Sequence, residues 1–74
     1  MTEYNSLYSL TCSPVFNNGG VGDRVKFIIS APKSSEVTRK AVAWFRVALA
    51  DNSVTGVEIF HFERISTPEE AVIL

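Results

Sequence analysis

Seventy-four residues make one domain, residues 1–74, and a chain this short removes only about 60–65% of its unfolded surface from water. With 46% hydrophobic and 20% charged residues the composition is that of a folding chain, not a disordered one. A net charge of −1 gives no general attraction to nucleic acid or membrane, and a lone cysteine excludes an internal disulfide.

The N-terminal Met1–Ser6 is polar and lacks the basic and apolar regions of a secretory signal. Tyr8, Leu10 and Cys12 then alternate with Ser9, Thr11 and Ser13, the period of a half-buried strand, and Leu7 falls on the other face. Pro14 cannot donate to a ladder, so it is expected to end this strand or lie at an edge. The run Asn17–Asp23 is rich in asparagine and glycine, which tolerate positive φ; it reads as the turn of a hairpin. A phosphate-binding loop is disfavoured there, because the Lys-Ser/Thr ending is missing and a strand, not a helix, follows.

Arg24–Ala31 is the clearest strand, with Val25, Phe27, Ile29 and Ala31 on one face and Ile28 the apolar exception on the other. Pro32 stops it. Ser34 or Ser35 is expected to cap a helix, with Glu36 near its positive end, Arg46 near its negative end, and Glu36 and Lys40 four residues apart. At 100° per residue, Val37, Ala41, Val42, Trp44, Phe45, Ala48 and Leu49 fall within an arc of about 160°, with Arg39 and Arg46 opposite. Asn52 is the expected left-handed residue past the helix.

Val54–Ile65 reads as an irregular last strand. Val57 and Ile59 share one face, and Phe60 and Phe62 the other. Either a bulge near Ile59 switches the register or both faces are covered. Thr67–Glu70 reads as a short turn or helix start with Pro68 at its first position. The expected fold class is therefore α+β: a small antiparallel sheet of about three strands with one amphipathic helix on one face, in the order β-β-α-β plus a short C-terminal turn or helix.

Chemistry is sparse. Cys12 and His61 are the sole cysteine and histidine. They could pair as nucleophile and base only if the fold brought them together, and no third group is evident to orient them. One cysteine and one histidine also fall short of a zinc site. The expectation is thus no enzyme, metal, cofactor, small-molecule substrate or membrane contact, and a cytoplasmic location.

Charge is unevenly spread. Arg24, Lys26, Lys33, Arg39, Lys40 and Arg46 face only Glu36 in the middle of the chain, while five acids follow Val47. These segments are expected to neighbour each other and offset. Apolar groups are in surplus: one helix covers one sheet face, leaving Ile28, a pair on the last strand, and the tail Ala71–Leu74. The leading expectation is a protein-binding surface made of Ile28, Phe60, Phe62, Val72, Ile73 and Leu74, in a homodimer or in an inhibitor or adaptor that covers a site on a larger protein. Compact chains without motifs are common among phage and mobile-element accessory proteins, including blockers of host defence nucleases. The alternative is a nucleic-acid-binding module using Lys26, Arg39, Lys40 and Arg46.

Overall fold

The computed structural model describes residues 5–66 and 71–74. Its strands are β1 (Ser6–Phe16), β2 (Val25–Ala31), β3 (Val54–Ile65) and β4 (Val72–Ile73), in the sheet order β3-β1-β2-β4. A 3-10 turn (Ser34–Glu36) leads into a single helix, α1 (Val37–Ala48). The α+β class agrees with the sequence reading. The sheet is mixed, not purely antiparallel, because β4 joins β2 in parallel, pairing Phe27 with Val72 and Ile28 with Ile73.

β1 is antiparallel to both β2 and β3, so those two strands run parallel to each other on either side of it. Parallel strands need a long crossover, and α1 supplies it, passing over β1. One face of the sheet therefore meets the helix. Tyr8, Leu10, Cys12, Phe27, Ile29 and Ala31 form a single core with Val37, Ala41, Phe45 and Val54. At its centre Phe27, Trp44 and Phe45 meet edge to face, with centroids 5.1, 5.3 and 5.4 Å apart. Ala48 and Leu49, expected in the buried arc, are exposed where the helix overhangs the sheet.

Pro14 does not end β1. The Pro14 carbonyl accepts from the Gly22 N–H at 2.9 Å, so this side of Pro14 points toward β2, whose pairing with β1 stops at Cys12. The donor that proline lacks would have faced the same way, where no ladder partner stands. Beyond it the hairpin turn closes with Phe16 N–H on the Gly20 carbonyl and Gly19 N–H on the Phe16 carbonyl, and Gly19 takes a positive φ of 87°. Gly22 is held by close approach, since a Cβ there would lie 2.7 Å from Pro14 Cγ.

Two expectations about the second face are corrected. Ile28, expected to point into the open, is completely buried. It stands opposite Ser9, also buried, at the middle of that face. The tail is not a free apolar end: Leu74 N–H donates to the Ile28 carbonyl at 2.8 Å, and Ser30 N–H donates to the Leu74 carbonyl at 3.2 Å. Val72 and Leu74 pack on the main core. The expected turn at Thr67–Glu70 lies outside the described residues.

The helix ends also differ from expectation. Neither Ser34 nor Ser35 caps α1; they enter the 3-10 turn, and no side-chain cap bond forms. Lys40, expected as the i+4 partner of Glu36, donates from Nζ to the Ser30 carbonyl at 2.7 Å and ties the helix to the end of β2. At the C-terminus, Asp51 N–H reaches the Arg46 carbonyl and Ala50 N–H the Val47 carbonyl, the paired bonds of a Schellman turn. The left-handed residue is Ala50, at φ 50°, and not Asn52.

An alanine in that conformation carries strain of about 1–2 kcal/mol that glycine lacks, partly offset by glycine's greater unfolded-state entropy of about 0.5–1 kcal/mol. Ala50→Gly is expected to stabilise the protein by about 0.5–1 kcal/mol. In a domain of this size that raises the melting temperature by about 2–8 °C. Calorimetry checks this, and a lowered melting temperature would contradict it.

Candidate functional site

Three of the exposed large apolar residues, Ile59, Phe60 and Phe62, stand together on β3, while Val21, Val47, Leu49 and Ile73 lie on other elements. Between Thr11, which opposes His61, and Cys12, which opposes Ile59, the ladder slips, and Phe60 is the extra residue of a bulge. Of the two sequence alternatives, the register switch holds. Phe62 opposes Leu10, Ile59 opposes Cys12 and Val57 opposes Pro14, so all three lie on the helix side. Phe60 does not share a face with Phe62. The Arg24 guanidinium sits 3.8 Å from its ring centroid. Arg24 precedes β2 on the side away from the helix, so this contact reaches across β1 and lies over the buried Ser13.

Ile59, Phe60 and Phe62 are 47%, 44% and 38% exposed. Phe62 leans on Tyr8, with ring centroids 5.6 Å apart, beyond the N-terminal end of α1. Alongside, α1 and the first half of β3 enclose a groove of about 650 Å³, lined by Thr38, Arg39, Val42 and Arg46 from the helix and by Val57 and Ile59 from the strand. Arg46 is held in place by its Nε donating to the Val54 carbonyl at 2.9 Å. Among the described residues, none that lines the groove is acidic.

The predicted protein-binding residues are thus dispersed. Ile28 is interior, Val72 and Leu74 belong to the core, and Ile73 is exposed at the far edge of the sheet. Phe60 and Phe62 remain together on one strand but on opposite faces. The predicted nucleic-acid residues split as well. Arg39 and Arg46 share the groove, Lys40 is drawn to the β2 side, and Lys26 lies on the sheet face away from the helix. The sequence reading missed Val42, Val57 and Ile59 as surface partners of the two arginines. The available signal was the seven-residue spacing of Arg39 and Arg46, two full helical turns on one stripe.

Cys12 and His61 do not form a pair. Cys12 faces the core, while His61, opposite Thr11, faces the other way and contacts Glu63 at 3.3 Å. Burial pushes the Cys12 thiol up to about 11. No helix among the described residues is long and apolar enough to cross a membrane. No protein-family model, curated protein or solved structure matches the chain, so its own geometry carries the functional reading.

Two measurements follow from this geometry. A double-mutant cycle on Arg24→Ala and Phe60→Leu is expected to return a coupling of about 0.5–1 kcal/mol, the worth of an exposed cation–ring contact. A coupling of zero would show the two side chains to be independent. Cys12 is expected to resist iodoacetamide at pH 8 in the native state and to react once denatured. Because its folded thiol ionises near 11 against 9.0 for an ordinary one, the unfolded chain loses its proton first. Stability should therefore fall as pH rises from about 9 toward 11. Rapid native labelling at pH 8 would refute the burial.

Proposed function

We propose that this chain is a small protein-binding domain that acts in the cytoplasm as an inhibitor or adaptor, covering a site on a larger protein with the β3 side of its sheet. The observation that carries this reading is the placement of Ile59, Phe60 and Phe62 together on a strand that ends the sheet among the described residues, whereas the other exposed large apolar residues, Val21, Val47, Leu49 and Ile73, lie on other elements. Exposed aromatic residues beside an unpaired strand edge suit association with another chain. A role of the kind encoded by phages or mobile elements against a host protein fits the chain's size and lack of catalytic parts.

A larger partner is favoured over a second copy of this chain. Pairing of β3 with its own copy about a two-fold axis needs unbroken alternation along the strand, and the bulge at Phe60 interrupts it. Pairing confined to the half after the bulge and centred on Glu63 would set that carboxylate against itself. Pairing confined to the half before it would bring Arg39 and Arg46 of both copies into one cleft with no acid among its described lining residues.

Gel filtration with light scattering is expected to return the monomer mass. A dimer dispersed by Phe60→Ser with Phe62→Ser would replace this reading with self-association. In affinity capture from the source cells, the pair Ile59→Asp and Phe62→Ser is expected to reduce recovery of the partner about tenfold or more. The control pair Val47→Asp and Ile73→Asp, at exposed sites away from β3, should leave recovery unchanged. Equal loss with both pairs would remove β3 as the binding side.

A further inference from the structure

We infer that the groove between α1 and the first half of β3 takes up an extended acidic segment of a partner protein, which adds to the sheet as a further strand. This rests on the protein-binding reading above and names the chemistry of the partner. The first support is the backbone. Pro14 and Phe16 direct their polar groups toward the hairpin turn, so Ser13 and Val15 direct theirs toward β3. Their opposites, Glu58 and Gly56, therefore point inward to β1. Val57 and Ile59 point outward, Thr55 is the extra residue where the ladder slips a second time between Val15 and Phe16, and β3 ends the sheet among the described residues. Two outward amides and two carbonyls, without ladder partners among the described residues, stand in one row beside the groove.

Charge is the second support. Arg39 and Arg46 flank an apolar strip of Val42, Val57 and Ile59, and among the described residues no carboxylate lines the groove. The neighbouring acids of β3 do not reach it: Glu58 opposes Ser13 and Glu63 opposes Ser9, both on the sheet face away from the helix. Spacing gives the motif. Seven helical residues separate the two arginines by about 10.5 Å. Two strand residues four apart lie about 13 Å from each other and project to the same face. The reach of two arginine side chains covers the difference. The segment that fits has acidic residues at i and i+4 and an apolar residue at i+2, the carboxylates meeting the guanidinium groups and the apolar side chain meeting Val57 and Ile59.

The test uses nitrogen-15 NMR of the full chain with defined probes. One is a nine-residue peptide with glutamates at positions 3 and 7, valine at 5 and threonine elsewhere. A second carries lysines for the glutamates, a third places the glutamates three apart so that they face opposite ways, and a fourth probe is oligothymidylate. The first peptide is expected to shift the amides of Thr55, Val57 and Ile59, with the second and third at least tenfold weaker. Arg39→Glu, at an exposed helix position, should weaken the first peptide about tenfold and strengthen the lysine peptide. Val57→Pro removes an outward amide without touching the β1 ladder and should abolish the shifts, with its fold checked by the thermal melt. Equal binding of the glutamate and lysine peptides, or shifts outside the groove, would overturn the inference. Tighter binding of oligothymidylate, weakening steeply between about 50 and 200 mM salt, would overturn it in favour of nucleic acid. Failure of every peptide, while the Ile59/Phe62 pair still loses the captured partner, would overturn this inference alone. Failure of both would overturn the protein-binding reading with it.

Discussion

The edge-to-face cluster of Phe27, Trp44 and Phe45 fixes where the helix lies, and the exposed surface follows from that. Each such ring pair adds about 0.5–1.5 kcal/mol beyond burial. A domain of 74 residues has about 4–11 kcal/mol of total stability at the usual value per residue. Three pairs therefore make a large share of the margin. Because Phe27 is on β2, the cluster ties the helix to β2, while the helix also runs close beside β3. The Lys40 bond to Ser30 reinforces that side. β3 lies close to the helix, yet Val57 and Ile59 stay partly open along the groove between them.

The bulge at Phe60 then decides which β3 side chains see that groove. Without it, strict alternation would place Phe60 and Phe62 on one face and Val57 and Ile59 on the other. The extra residue turns the second half of the strand over, so Val57, Ile59 and Phe62 all join the helix side. It also isolates Phe60, whose ring is taken up by Arg24 on the opposite face. Bulges commonly protect edge strands from indiscriminate pairing. Here the protected stretch is the half after the bulge, where His61, Glu63 and Arg64 add charges. The half before it, Val54–Ile59, has Glu58 as its only charge, and that carboxylate points away.

Legibility in the sequence follows the range over which each signal acts. Val25, Phe27 and Ile29 alternate over a full strand, and Val37, Ala41 and Phe45 recur at helical spacing, so local periodicity exposes both. The strand Val54–Ile65 is legible with its bounds, but its bulge only as one of two alternatives, because the apolar pattern of an irregular strand fits either. Chain-distant pairing leaves no such trace. Four apolar residues at 71–74 are too few to distinguish a strand from a turn, and the parallel bonds of Leu74 to β2 depend on where β2 lies. Ile28 reads as exposed by alternation and is buried by the complete fold. The left-handed position went to Ala50, not Asn52, because the Schellman bonds fix it one residue after the last helical turn, whatever residue stands there.

Charge shows the same limit and bears on function. The basic middle and acidic end of the chain do become neighbours, since α1 lies beside β3, and adjacency alone would predict neutralisation. The pleat prevents it across the groove. Glu58 and Glu63 fall on the face shared with Arg24, and Asp51 is engaged elsewhere, its carboxyl held below the usual range by hydrogen bonds from Ser53. The arginines are on the helix and face the opposite side of the strand. Two charges close in sequence space and close through the sheet are thus kept apart by its thickness. What survives as unbalanced charge is positive, partly fixed in position by the Arg46 bond to Val54, and set against apolar side chains. A free exposed guanidinium is an ordinary surface feature. One positioned next to an unpaired strand edge is specific, because backbone pairing would hold a carboxylate at a set height opposite it.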